Sequence, residues 1–181
     1  PIVVDPLLYF VEETTLTASG AANDLAGSSV AIDADGTRVL LGAPRAVSSE
    51  AGSIWSYTRS GPSYVFEGVH NDCCGARNLG RDLDVPADAA YAITAGGSYA
   101  AVILSRSGAT WTREVDWGYL VGPAIPGPIG GVAMSSDGLY AAIVGTNGPA
   151  TLRVRTRSGT TWSGEPIGWT GPAGENPAGM P

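Results

Sequence analysis

Apolar residues along this chain recur with the alternating period of β-strands, and residues 25–44 show the unit. Val30 and Ile32 alternate with small or polar neighbours, the pattern of a half-buried strand. Asp35-Gly36 supplies a tight turn, because glycine accepts a positive φ without a Cβ clash. Val39-Leu40-Leu41 follows as an unbroken apolar run, suited to a strand covered on both faces. Gly42-Ala43-Pro44 ends it. No stretch shows sustained helical periodicity.

The unit recurs. Val30-Ala-Ile-Asp-Ala-Asp-Gly36 aligns with Leu83-Asp-Val-Pro-Ala-Asp-Ala89 and with Val132-Ala-Met-Ser-Ser-Asp-Gly138. Each copy carries two apolar residues at i and i+2 and an Asp at i+5, and each runs into an apolar strand. A second marker follows: Arg59-Ser-Gly61, Arg106-Ser-Gly108 and Arg157-Ser-Gly159, with an aromatic three residues after each glycine at Tyr64, Trp111 and Trp162. The period is about 50 residues, the length of a propeller blade or solenoid turn. In the first copy four strands are expected at 29–33, 38–41, 53–59 and 64–69. Four short antiparallel strands per repeat describe a propeller blade. The expected fold is all-β: three four-stranded antiparallel blade-like repeats forming a partial or oligomer-completed β-propeller. The single domain divides into an N-terminal arm and strand at 1–19, blades at 25–70, 79–117 and 129–169, and a turn-rich flexible tail at 170–181.

Leu16-Thr-Ala-Ser19, Gly27-Ser-Ser-Val-Ala31, Gly42-Ala-Pro44 and Gly52-Ser-Ile-Trp-Ser-Tyr-Thr-Arg-Ser-Gly61 together resemble an FG-GAP-type β-propeller repeat. Ala26-Gly27 stands where that family has Phe-Gly. The resemblance is strongest over 16–70 and weaker over 79–117 and 129–169, and it implies blades of a propeller working outside cells. Some repeats of the family carry a calcium loop of several spaced acids. Here only Asp33 and Asp35 precede Gly36, so a strand-turn role outweighs a calcium site, which needs six or more oxygens.

Gly 26 and Pro 13 among 181 residues, with 15% charged residues, suit many short strands and turns. The net charge of −7 excludes the basic footprint of a nucleic-acid binder. No apolar run reaches membrane-span length. Residues 1–10 lack the basic start of a signal peptide. The FG-GAP resemblance implies an extracellular or virion-surface setting, here without a recognisable leader: a processed fragment, a leaderless export product, or part of a particle assembled in the cytoplasm and released later. A start at Pro1 also fits removal of an initiator Met.

Catalytic chemistry finds little support. The one His, His70, sits beside the vicinal Cys73-Cys74 in the expected loop 70–78, and nothing there lowers a thiol pKa. Two Cys and one His fall short of four zinc ligands. The thiols are read as free or structural, with an interchain disulfide and a soft metal as the other readings. Asp82 and Asp84, at i and i+2, read as edge-strand charges that discourage aggregation. Arg106 and Arg157 occupy the place where a sialidase Asp-box needs its Asp, so that match fails. No phosphate-binding glycine motif is present.

Five tryptophans raise sugar stacking as a function. Trp111 and Trp162, at a fixed repeat position, are expected to pack between blades. Trp55 is a further candidate, and Trp117 and Trp169, at repeat ends, are the expected exposed contacts. Arg153, Arg155 and Arg157 alternate on one strand face, read as solvated or as a contact for an anionic partner. Residues 7–17 form a strand whose unpaired edge seeks a partner. Three blades do not close a ring of four to eight. The function expected is therefore a non-enzymatic structural or attachment protein of an extracellular assembly such as a phage or virus surface, without a cofactor. It would act by self-association or with other proteins of that assembly. The alternative is a lectin-like propeller binding cell-surface glycans at blade junctions.

Overall fold

The computed structural model describes residues 15–16, 23–46, 51–71, 78–96, 101–116, 129–145, 151–163 and 169–170. Strands β1 (Ser29–Ile32), β2 (Arg38–Ala43), β3 (Ser53–Ser60) and β4 (Ser63–Asn71) form an antiparallel meander, blade 1. Blade 2 repeats it with β5 (Asp82–Asp84), β6 (Tyr91–Ala95), β7 (Ala101–Ser107) and β8 (Thr110–Asp116). Blade 3 comprises β9 (Ile129–Met134), β10 (Tyr140–Gly145), β11 (Thr151–Ser158) and β12 (Thr161–Ser163), with β13 (Trp169–Thr170) pairing the start of β11. No helix occurs among the described residues. The innermost strands β1, β5 and β9 are neighbours from blade to blade.

The blades stack face to face. Between blades 1 and 2 lie Ala31, Leu40, Ile54, Leu79, Leu83, Val85, Val102, Leu104 and Trp111. Between blades 2 and 3 lie Ile93, Ala95, Ala101, Ile103, Ile129, Met134, Ala141, Ile143 and Trp162. The apolar run of β7 explains itself here. Val102 and Leu104 point to one junction and Ala101 and Ile103 to the other, so a strand covered on both sides needs no polar alternation. Trp111 and Trp162 are buried between blades.

One expectation is corrected. Val30 and Ile32 do not form the buried face of β1; Ala31 does, against blade 2, while Val30 and Ile32 stand exposed. The alternation was real, but its larger residues face away from blade 2.

The turn signals act alike in all three copies. Each repeat Asp accepts the N–H two residues on: Thr37 to Asp35 (3.0 Å), Ala90 to Asp88 (2.9 Å) and Leu139 to Asp137 (2.9 Å). The following residue takes a left-handed conformation at Gly36 (φ 69), Ala89 (φ 46) and Gly138 (φ 68). The Arg-Ser-Gly marker begins at an N–H that donates to the same turn: Arg59 to Thr37 (2.8 Å), Arg106 to Ala90 (2.9 Å) and Arg157 to Leu139 (2.8 Å). Asp33 is buried and accepts the Thr37 hydroxyl and the Arg38 N–H. Asp33 and Asp35 are thus occupied in closing a hairpin.

Glycine matters most where blade 1 meets the linker into blade 2. A Cβ on Gly42 would lie 1.9 Å from the Gly80 carbonyl oxygen. Gly42→Ala is therefore expected to cost about 1–3 kcal/mol or more, since the obstacle is backbone and cannot rotate away. Gly61→Ala meets nothing within 4 Å and bears only its positive φ of 63, a cost of about 1 kcal/mol. Denaturant unfolding of the two variants should show Gly42→Ala as the more damaging; equal losses would contradict this packing.

Candidate functional site

The inner edges of the blades meet through two carboxylates. Val132 and Met134 turn their N–H groups away from β10, towards β5. Asp82 Oδ2 accepts from Val132 N (2.8 Å) and Asp84 Oδ2 from Met134 N (2.7 Å). The other oxygens accept from the same segment: Leu83 N to Asp82 Oδ1 (3.0 Å) and Val85 N, just past β5, to Asp84 Oδ1 (2.9 Å). Two acids thus satisfy four edge amides on two blades. The expectation that they are solvent-facing guards is corrected: both are half-buried and join strands within the chain.

The first junction is built differently. Ser29 Oγ donates to the Gly80 carbonyl (2.8 Å), and His70 Nδ1 lies 3.1 Å from the Trp111 carbonyl. His70 belongs to β4 rather than to the expected loop, and this contact spans two blades. A backbone chain links the three hairpin turns at equivalent positions: Ala34 N–H to the Ala87 carbonyl (3.0 Å), and Ala87 N–H to the Ser136 carbonyl (2.8 Å).

The arginine row of β11 faces blade 2. Arg153 and Arg155 pair across the ladder with Ile143 and Ala141, both part of the blade 2–3 core. All three arginines are half-buried. The Arg157 guanidinium carbon sits 3.9 Å from the Tyr91 ring centroid. Trp162, paired with Arg157, meets the same tyrosine edge-on at 6.4 Å and donates from Nε1 to Glu114 Oε2 (3.3 Å). The reading of a fully solvated row is corrected for Arg157, which stacks on the neighbouring blade. The equivalent pair at the first junction, Glu67 and Trp111, has Oε2 and Nε1 buried without a hydrogen-bond partner among the described residues, while Glu67 Oε1 takes the Arg38 guanidinium at 3.4 Å.

Among the described residues, two sheet faces have no blade against them. Blade 1 presents Val30 at 63% exposure and Ile32 at 56% on β1, with Val69 and Phe66 exposed on the same face at the opposite edge, on β4. Their repeat equivalents are covered by the preceding blade, with Leu83 at 6% and Val85 at 8% exposure. Trp55 and Tyr57 on the same side are buried with Ala43 and Ala46, and Leu16 packs against them. Trp55 Nε1 is buried without a hydrogen-bond partner among the described residues. On blade 3, Tyr140 stands 51% exposed at the position of Tyr91.

Trp117, Cys73 and Cys74 lie outside the described residues, as do most of the expected N-terminal strand and all but the first residue of the tail. Trp169 is placed only by its backbone, opposite Leu152. Among the described residues no three metal-ligating side chains cluster, and no helix is long and apolar enough to cross a membrane. An open pocket of about 460 Å³ is lined by Leu25, Ser28, Pro44, Arg45, Asn78 and Arg81. These residues are far apart in sequence and share no motif, so no pattern marks them. Nor does spacing reveal that Asp82 and Asp84 look across to another blade.

No protein family and no curated protein matches the sequence. Solved structures do match by fold. Saccharomyces cerevisiae Sqt1 superposes with a TM-score of 0.59 at 10% identity, over 86% of this chain and 38% of that one. The β-propeller domain of Myceliophteria thermophila Cps50 (Swd1) gives 0.56 at 13% identity, over 80% and 41%. A Bacteroides fragilis protein provisionally named a 6-phosphogluconolactonase gives 0.56 at 13%, over 78% and 38%. The chain spans roughly two fifths of each structure it matches. At these identities the likeness shows the β-propeller fold.

The turns predict a pH response. Hydrogen bonding from Thr37 holds Asp35 below the ordinary carboxylate value, and the Ser135 hydroxyl and Leu139 N–H do the same for Asp137. A depressed folded value means that the stabilisation is complete above the unfolded value near 4 and is lost as pH falls through the folded one. Thermal unfolding of the wild type should therefore weaken below about pH 4. The Asp35→Asn/Asp137→Asn variant should lose less over that interval; an identical acid slope would contradict the assignment.

Proposed function

We propose that this chain is a non-enzymatic structural or attachment protein that works through protein–protein contacts in an extracellular assembly, such as the surface of a phage or other virus particle. The observation that supports the contact role is the pair of uncovered blade faces. Apolar positions covered at the internal junctions stand in solvent on blade 1, and exposed apolar surface of this kind marks interaction sites. The extracellular setting rests on the FG-GAP resemblance of residues 16–70.

An enzymatic reading has less behind it. Asp82, Asp84, Asp88, Asp137 and His70 are engaged in turns and blade contacts. The lactonase name belongs to a protein of 13% identity, and fold alone does not transfer an activity.

Hydroxyl-radical footprinting of the chain alone and in its source assembly tests the proposal. Val30, Ile32, Phe66 and Tyr140 should lose several-fold reactivity on assembly. Unchanged reactivity, together with saturable glycan-array binding abolished by Trp117→Ala or Trp169→Ala, would establish the lectin reading instead.

A further inference from the structure

The open pocket of about 460 Å³ is built from the turns that lead into two successive blades. Leu25, Gly27 and Ser28 before β1 occupy the repeat positions of Asn78, Gly80 and Arg81 before β5. The backbone matches as well: φ is 54 at Leu25 and 62 at Asn78, and 89 at both glycines. A leucine in the left-handed region is uncommon, and such outliers gather at ligand sites. Pro44 and Arg45, just past β2, complete the lining.

Hydrogen bonds hold these walls in place. Asn78 Nδ2 donates to the Pro44 carbonyl (3.0 Å). Arg45 N–H donates to the Asp24 carbonyl (3.1 Å) and Arg81 N–H to the Ala95 carbonyl (3.1 Å). Ser28 donates twice to the Leu25 carbonyl, from N (3.1 Å) and from Oγ (2.7 Å). The groups left over are two guanidiniums. Arg45 and Arg81 are both exposed, and among the described residues neither has a carboxylate within ion-pair distance. In a chain of net charge −7, two arginines thus share one pocket, where like charges repel until an anion lies between them.

We propose that this pocket binds a small ligand through an oxyanion group, a carboxylate, sulfate or phosphate, carried on a body about the size of a sugar ring. The planar guanidinium fork takes two oxygens of such a group in parallel. Leu25 and Pro44 give the body an apolar wall. The volume lies within the range of about 300–1,000 Å³ typical of small-molecule sites. Arg45 belongs to blade 1 and Arg81 to the entry of blade 2, so the bound anion spans the first junction. The site uses neither uncovered sheet face, and its failure would leave the protein-contact role untouched.

Amide NMR of the isotope-labelled full chain, titrated with glucuronate, glucose and inorganic phosphate, tests the proposal. Glucuronate should shift the Ser28, Arg45, Asn78 and Arg81 signals saturably. Glucose, the same ring without the carboxylate, should not. Arg45→Gln and Arg81→Gln should each weaken glucuronate binding about tenfold, whereas Arg113→Gln, at an exposed arginine outside the pocket, should not. Phosphate shifting the same signals would show that the oxyanion alone suffices; phosphate without effect beside saturable glucuronate would assign the site to carboxylated ligands. A second measurement uses only the wild type: glucuronate should slow phenylglyoxal labelling of Arg45 and Arg81 several-fold and leave Arg113 unchanged. No saturable shift with either anion, glucose acting as strongly as glucuronate, affinity unaltered in both pocket variants, or labelling rates unaffected by glucuronate would overturn the proposal.

Discussion

A four-stranded blade leaves alternate N–H groups along its innermost strand with no strand beside them, and a half-buried amide without an acceptor costs stability. Asp82 and Asp84 answer for four such groups, one on β5, one just past it and two on β9, with each carboxylate divided between the blades. The residue spacing makes this work. On a strand, i and i+2 point the same way, so two acids two residues apart meet two amides two residues apart. Charge-assisted bonds of this kind are short and about twice as strong as neutral ones. Around this clasp the apolar faces close: Ile93, Ala101 and Ile103 from one side, Met134, Ala141 and Ile143 from the other.

The first junction fastens its innermost strand without a carboxylate. Ser29 reaches the Gly80 carbonyl there, and three glycines, Gly42, Gly52 and Gly80, let the linker backbone lie against the sheet closer than any Cβ would permit. The repeat therefore conserves the outline of a junction while its polar fastening changes from one interface to the next. The hairpin turns remain the constant feature, with one Asp and one donated Arg N–H in every copy.

Most of the architecture was legible in the sequence because the repeat repeats its turns. Asp35, Asp88 and Asp137 marked hairpins that the structure closes by the same bond, and the strands expected at 29–33, 38–41, 53–59 and 64–69 are found within a few residues. The apolar run of β7 announced a strand between two blades. What remained hidden was which side of a strand has a neighbour. Alternation at Val30 and Ile32 shows that two faces differ, but their exposure depends on whether a blade precedes them. The Arg153–Arg157 alternation likewise looks solvated until Tyr91 is seen across the junction. Asp82 and Asp84 carry no sign of their partners, because those partners are backbone amides 50 residues away.

Amide hydrogen exchange with and without the clasp tests the account most directly. In the Asp82→Ala/Asp84→Ala variant, Val132 and Met134 should lose most of their protection while Leu40 and Ile54 in blade 1 keep theirs. If Val132 and Met134 remain as protected as in the wild type, the carboxylates do not hold the blades together and the account fails at its centre.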